Sequence, residues 1–189
     1  MKFIVKPLSP ELFDDFLYYF DEIGFSNNPN WSGCYCYFHY CPGSTQDWMA
    51  RSKKQNREAA KSLILSRKLN GFLAYDNDTP IGWINVDLKE NYLKLPIDKE
   101  IEVSIKGTTA SIVCFLIAPA YRKKGIARKL LQESIKQLKN KGIKIIESYP
   151  RVGELSDAHS YHGPFSLYKG EGFKVVKELE NIYVMQKNL

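Results

Sequence analysis

No apolar stretch in this sequence is long enough to cross a bilayer. The longest, around residues 112–120, falls well short of the roughly 20 residues a spanning helix needs. The opening Met1-Lys2-Phe3-Ile4-Val5-Lys6-Pro7 has no long apolar run behind its lysines, so no secretory signal is expected. Cysteine is scarce. Cys34, Cys36, Cys41 and Cys114 are too few and too unevenly placed for a disulfide scaffold, and they predict a reduced, cytoplasmic protein. Internal repeats and low-complexity tracts are lacking. So are a Gly-x-Gly-x-x-Gly fingerprint and a Gly-Lys-Ser/Thr phosphate loop, which excludes the two commonest nucleotide-binding patterns.

What is present suits one globular domain. The 189 residues are 44% hydrophobic and 25% charged, enough apolar material for a core that needs no staple. The net charge of +6 is concentrated: residues 121–144 hold nine basic side chains against one acid, Glu133. A local basic segment means either an anionic ligand or a solvated helix face.

Ser9-Pro10-Glu11 is a helix start, and Leu12, Phe13, Phe16, Leu17, Phe20 and Ile23 recur at helical spacing up to Gly24. Residues 25–43 read as a long irregular loop. Ser44-Thr45-Gln46-Asp47 has the form of a capping box, and a helix is expected over 56–68, burying Ala59, Ala60, Leu63 and Ile64. The period then changes. Residues 71–75 and 81–86 form a hairpin around Asp76-Asn77-Asp78-Thr79-Pro80, with Gly82 marking a bulge or a close approach by ligand. Residues 88–108 read as a flap. The near-continuous apolar run 111–117 predicts a strand buried on both faces. A helix over 125–140 and a strand over 143–148 complete a βαβ-like unit with parallel strands. A short helix at 164–169 and strands at 173–176 and 182–186 close the chain.

The informative stretch is Arg122-Lys123-Lys124-Gly125-Ile126-Ala127, joining the buried strand to the helix. The first N–H groups of a helix lack internal partners and lie at the positive end of its dipole, so a loop entering there can wrap phosphate oxygens. Gly125 permits close backbone approach, and three basic side chains add charge.

Arg-x-x-Gly-x-Ala between a strand and an amphipathic helix resembles the acyl-CoA signature of the GCN5-related N-acetyltransferase (GNAT) family. Two further segments follow in the family's order. Leu167-Tyr168-Lys169-Gly170-Glu171-Gly172-Phe173 resembles its Leu-Tyr-x-x-x-Gly-Phe element, and Val184-Met185-Gln186-Lys187 its closing strand. Trp31-Ser32-Gly33-Cys34-Tyr35-Cys36 is similar to the opening of bacterial members. The resemblance spans residues 70–187, with residues 1–69 supplying helices and an acceptor-side loop. It implies an α/β fold, a central mixed sheet flanked by helices, in a single domain over 1–189. It also implies acetyl transfer from acetyl-CoA to a primary amine by direct attack in a ternary complex. Backbone groups of Leu116 and Ile117 would pair with pantetheine. Arg122, Lys123, Lys124, Gly125, Ile126, Ala127 and Arg128 would hold the pyrophosphate, and Tyr168 would protonate the leaving thiolate.

A phenol with a reference pKa of about 10 stays protonated at neutral pH, as an acid must; alternatively Tyr168 only packs beside the cofactor. The base is open between Glu147, His159, His162 and a water relay. Cys34, Cys36, His39 and Cys41 are four potential zinc ligands, a reactive thiol cluster, or packing; their spacing is not the usual Cys-x-x-Cys knuckle, which disfavours a shared metal. No metal is expected. Aromatic residues Phe25, Trp31, Tyr35, Tyr37, Phe38 and Trp83 line an acceptor pocket or form core. Asp98, Glu100 and Glu102 attract a cationic acceptor or keep a flap soluble. The acceptor is a small amine or a peptide; neither nucleic acid nor membrane is an expected partner, and a homodimer is open by analogy with relatives. Two other functions compete: a coenzyme A-binding protein without turnover, and a nucleic-acid module built on the basic segment.

Overall fold

The computed structural model describes residues 3–95, 108–153 and 157–189, with backbone alone at 157–159. Asp98, Glu100, Glu102, most of the expected flap and the His159 side chain therefore lie outside the described residues. Seven strands form one sheet: β1 (Ile4–Pro7), β2 (Gly71–Asp76), β3 (Thr79–Leu88), β4 (Thr109–Ile117), β5 (Ile145–Ser148), β6 (Lys174–Glu178) and β7 (Tyr183–Asn188). Their order is β1-β2-β3-β4-β5-β7-β6, and all described pairs are antiparallel except β4 with β5. This is the mixed sheet the sequence predicts.

Five α-helices accompany the described sheet: α1 (Phe13–Tyr18), α2 (Thr45–Met49), α3 (Lys53–Leu65), α4 (Ile126–Asn140) and α5 (Phe165–Gly170). α1 opens through a tight turn at Pro10–Leu12 and continues as a wider π turn, Tyr19–Ile23, that ends at Gly24. Ser44 and Asp47 cap α2 reciprocally, as read from the sequence. A second such box, Ser52 with Gln55, starts α3 at Lys53, ahead of the expected residue 56.

The sheet separates two cores. On one face α1, its π turn and α3 pack Phe16, Phe20, Ala60 and Ile64 against Trp83 and Val113. On the other, α4 lays Ile126, Leu130, Leu131 and Leu138 over Ile84, Ile112 and Ile146. Gly82 makes the second contact possible. A Cβ there would stand 2.9 Å from Cγ2 of Ile126 and 3.1 Å from Cδ1 of Ile117. Its bareness admits helix α4 rather than a ligand, and the bulge expected here lies beside it, where the register shifts between Ala74 and Tyr75. No helix among the described residues is long and apolar enough to cross a membrane.

Candidate active site

β4 and β5 pair only from Thr109↔Ile145 to Ile112↔Ser148. β4 then runs on through residues 113–117 while β5 has ended, so the two parallel strands part toward their C-terminal ends. A cavity of about 800 Å³ occupies this side of the sheet. Cys114, Phe115, Leu116 and Ile117 form its floor, and Ser160, Tyr161, Gly163 and Pro164 form the wall beyond β5. Arg122, Lys123 and Ala127 lie at one end; Phe38, His39 and Trp48 also line it.

The basic loop has the backbone an anion cradle needs. Lys123 and Gly125 are left-handed, with φ of 59° and 84°, and a Cβ on Gly125 would meet nothing within 4 Å. No side chain caps α4, and its backbone ladder begins with Lys129 N donating to Gly125 O. The preceding N–H groups are thus the unpaired positive end of a long helix. The side chains divide their tasks. Arg122 Nε donates to the Ile117 carbonyl at 3.3 Å and its guanidinium reaches Asn27, tying the loop to the wall. Lys124 lies over the Tyr121 ring, Arg128 pairs with Glu171 at 3.3 Å, and Ile126 is buried beneath the sheet. Leu116 and Ile117 face the cavity, but their carbonyls already accept side-chain bonds, Leu116 from Tyr19 at 2.6 Å. The Leu116 carbonyl also faces Trp83 in the β3–β4 ladder, whereas that of Ile117 points away from β3 and keeps a second lone pair for an amide N–H.

Tyr168 is fully buried one layer behind the cavity. Its hydroxyl donates to the His162 carbonyl at 2.6 Å, and burial raises its pKa well above the phenol value. Gly163 (φ 78°) stands over it; a Cβ there would lie 2.8 Å from the phenolic oxygen. Glu147 is placed differently from a residue flanking the cleft. Wholly buried, it pairs with Lys89 at 2.9 Å and accepts from Tyr149 and from Gln186 Nε2 at 2.7 Å. It does not line the cavity. His162 is buried with its ring 4.1 Å from that of Tyr161.

The cysteine segment is a turn rather than an extended stretch. Tyr35 and Cys36 are both left-handed, with φ of 44° and 50°. This turn brings both thiols to the cavity, in contact with one another, while Cys36 also touches Cys114. Tyr35 fixes the turn by stacking on Phe20 at 5.7 Å and donating to Asp21, which Arg57 of α3 holds at 2.9 Å. Trp83 Nε1 donates to Cys36 Sγ. The contact with Cys36 and burial push the Cys34 thiol up; burial, first, and the contact with Cys114 raise Cys36. Both therefore stay protonated near neutral pH. Cys41 turns away to the Pro42 carbonyl, and His39 Nδ1 is 2.8 Å from the Lys94 carbonyl. Among the described residues, no group of three or more His, Cys, Asp or Glu could hold a metal ion.

The sequence model of the acetyltransferase (GNAT) family matches residues 33–162, more than half of the chain. The chain belongs to this acetyltransferase family. No curated protein sequence matches it. Solved structures of GNAT proteins share its fold at low identity. The PaiA N-acetyltransferase of Thermoplasma acidophilum, in complex with coenzyme A, superposes with TM-score 0.59 and 21% identity over 100% of both chains. An N-acetyltransferase from Staphylococcus aureus Mu50 gives 0.58 and 15% over 100% of this chain and 99% of that one. The ribosomal-protein-S18-alanine N-acetyltransferase of Escherichia coli gives 0.52 and 13%, covering 99% and 94%.

Sequence reasoning missed several walls of the GNAT cavity. Trp48 and Tyr161 carried no motif, and Cys114 read as one apolar residue among others. His39 was legible only as a metal ligand. Their shared location arises from the parting of β4 and β5, which only tertiary structure reveals.

Proposed function

We propose that this GNAT protein transfers an acetyl group from acetyl-CoA to a primary amine by direct attack in a ternary complex. The observation that carries the reading is the uncapped, left-handed start of α4 at one end of an apolar cavity between parting parallel strands. Backbone N–H groups of residues 123–127 would hold the pyrophosphate, with Arg122 and Lys123 supplying charge. The backbone of Leu116 and Ile117 would pair with the pantetheine amides, the Ile117 carbonyl through its second lone pair. The acyl end would then lie toward Cys114 and Phe115. Acetyl-CoA supplies an activated thioester carbonyl; the chain orients it and excludes water with apolar walls.

Tyr168 is the proposed acid. It is the phenol beside Gly163 and Phe115, both of which line the cavity, and rotation away from His162 would free its proton for the thiolate. Its raised pKa keeps that proton in place until sulfur charge develops. Glu147 is assigned a structural role, since Lys89, Tyr149 and Gln186 occupy its carboxylate.

Calorimetric titration of acetyl-CoA and coenzyme A tests this reading, with Gly125→Glu as the control. A Cβ at that left-handed position, carrying a negative charge, opposes a phosphate there. Binding by the natural protein, lost in the variant, is expected. Equal binding by both would place the pyrophosphate elsewhere.

A further inference from the structure

We infer that the acceptor is a weakly basic aromatic amine, uncharged when it reaches the thioester, with its ring held among Phe38, His39 and Trp48. This deepens the acetyltransferase reading and rests on it.

Shape is the first argument. Phe38 stands edge-on to His39 (5.1 Å between ring centres, 78°) and to Trp48 (5.1 Å, 82°), and all three line the cavity. Aromatic rings arranged at such angles favour a further flat ring as partner.

Charge is the second. Among the described residues, no Asp or Glu lines the cavity. The Lys94 ammonium already lies over Phe38, 5.8 Å from its centroid, taking the place a cationic acceptor would seek. An ammonium at these rings therefore meets repulsion, with no counterion among the described residues.

The proton is the third. A carbonyl can only accept, so His39 Nδ1 carries the hydrogen toward Lys94 and Nε2 keeps the lone pair. Burial lowers the His39 pKa to about 4, outweighing the hydrogen bond to the Lys94 carbonyl, which favours the charged ring. A base that weak cannot strip an alkylammonium, whose pKa is about 10 as in lysine. An aromatic amine, its lone pair shared with the ring, needs no such step. Its nitrogen attacks the thioester carbonyl, the C–N bond forms, and the C–S bond breaks with its electron pair leaving on sulfur. The nitrogen has become acidic by then. His39 Nε2 relays its proton outward while the thiolate takes one, so the products are an acetanilide and free coenzyme A.

The test compares p-toluidine, phenethylamine and spermidine with saturating acetyl-CoA, reading acetylated product by mass spectrometry. The expected kcat/KM for p-toluidine exceeds that of the other two by about tenfold or more. It should also be flat from neutral to alkaline pH, where an alkylamine's would rise. Trp48→Ala, on a short exposed helix, should raise KM for p-toluidine about tenfold, while calorimetric coenzyme A binding is unchanged. Preference for phenethylamine or spermidine, or acetylation of none of them by protein that binds coenzyme A, overturns the inference alone. Failure to bind coenzyme A overturns the acetyltransferase reading and the inference with it.

Discussion

Tyr168 donates its phenolic proton to the His162 carbonyl at 2.6 Å, and the bare Gly163 lets the chain pass over that bond. The residue proposed as acid is thus also a fastener of the wall beyond β5. Tyr168→Phe should show both roles. Leaving a buried carbonyl without its donor costs about 1–3 kcal/mol in denaturant unfolding. Loss of the acid should slow single-turnover acetyl transfer by about a hundredfold or more. A stability loss with the chemical step within about twofold would leave only the fastening role.

Glu147 separates structure from chemistry in the opposite direction. Removing one partner of a buried ion pair costs roughly 3–5 kcal/mol. The range applies to Glu147→Gln, because the Lys89 ammonium left behind is itself buried. Unfolding midpoints should fall, and adding Lys89→Met should restore much of the loss. The kcat of the folded fraction should barely change. A variant of undiminished stability that loses most of its kcat would make Glu147 the base.

His39 gives a pH signature. Its pKa falls from 6.5 in the unfolded chain to about 4 in the folded one, mainly through burial. The folded state therefore refuses a proton that the unfolded state takes. The stability present above pH 6.5 is lost as pH falls toward 4, by about 3 kcal/mol in total. A His39→Gln variant lacks that slope. Urea unfolding of both proteins across this range, with parallel curves, would show that His39 titrates normally.

Much of this was legible in the sequence where one physical demand dominated. The apolar run of β4, the glycine and basic side chains after it, and the amphipathic pattern of α4 fixed a βαβ unit with little ambiguity. β1 was not legible, because an exposed four-residue edge strand ending in Pro7 shows no alternation of apolar and polar residues. The placement of Glu147 was not legible either. On β5 the residues around it are buried on both sides, so alternation does not say which face holds a partner. The Cys34 and Cys36 thiols meet at the cavity through a left-handed turn at Tyr35 and Cys36, which spacing alone does not reveal. Helix α3 began earlier than expected because the Ser52 and Gln55 box sits in a polar stretch without apolar periodicity.

The central claim is the path of coenzyme A, and a crystal structure of the complex tests it most directly. The account predicts the pyrophosphate against the N–H groups of residues 123–127, pantetheine between the parted ends of β4 and β5, and the thiol toward Cys114. Coenzyme A lying on another surface, with the cavity between β4 and Tyr161 empty, would contradict it.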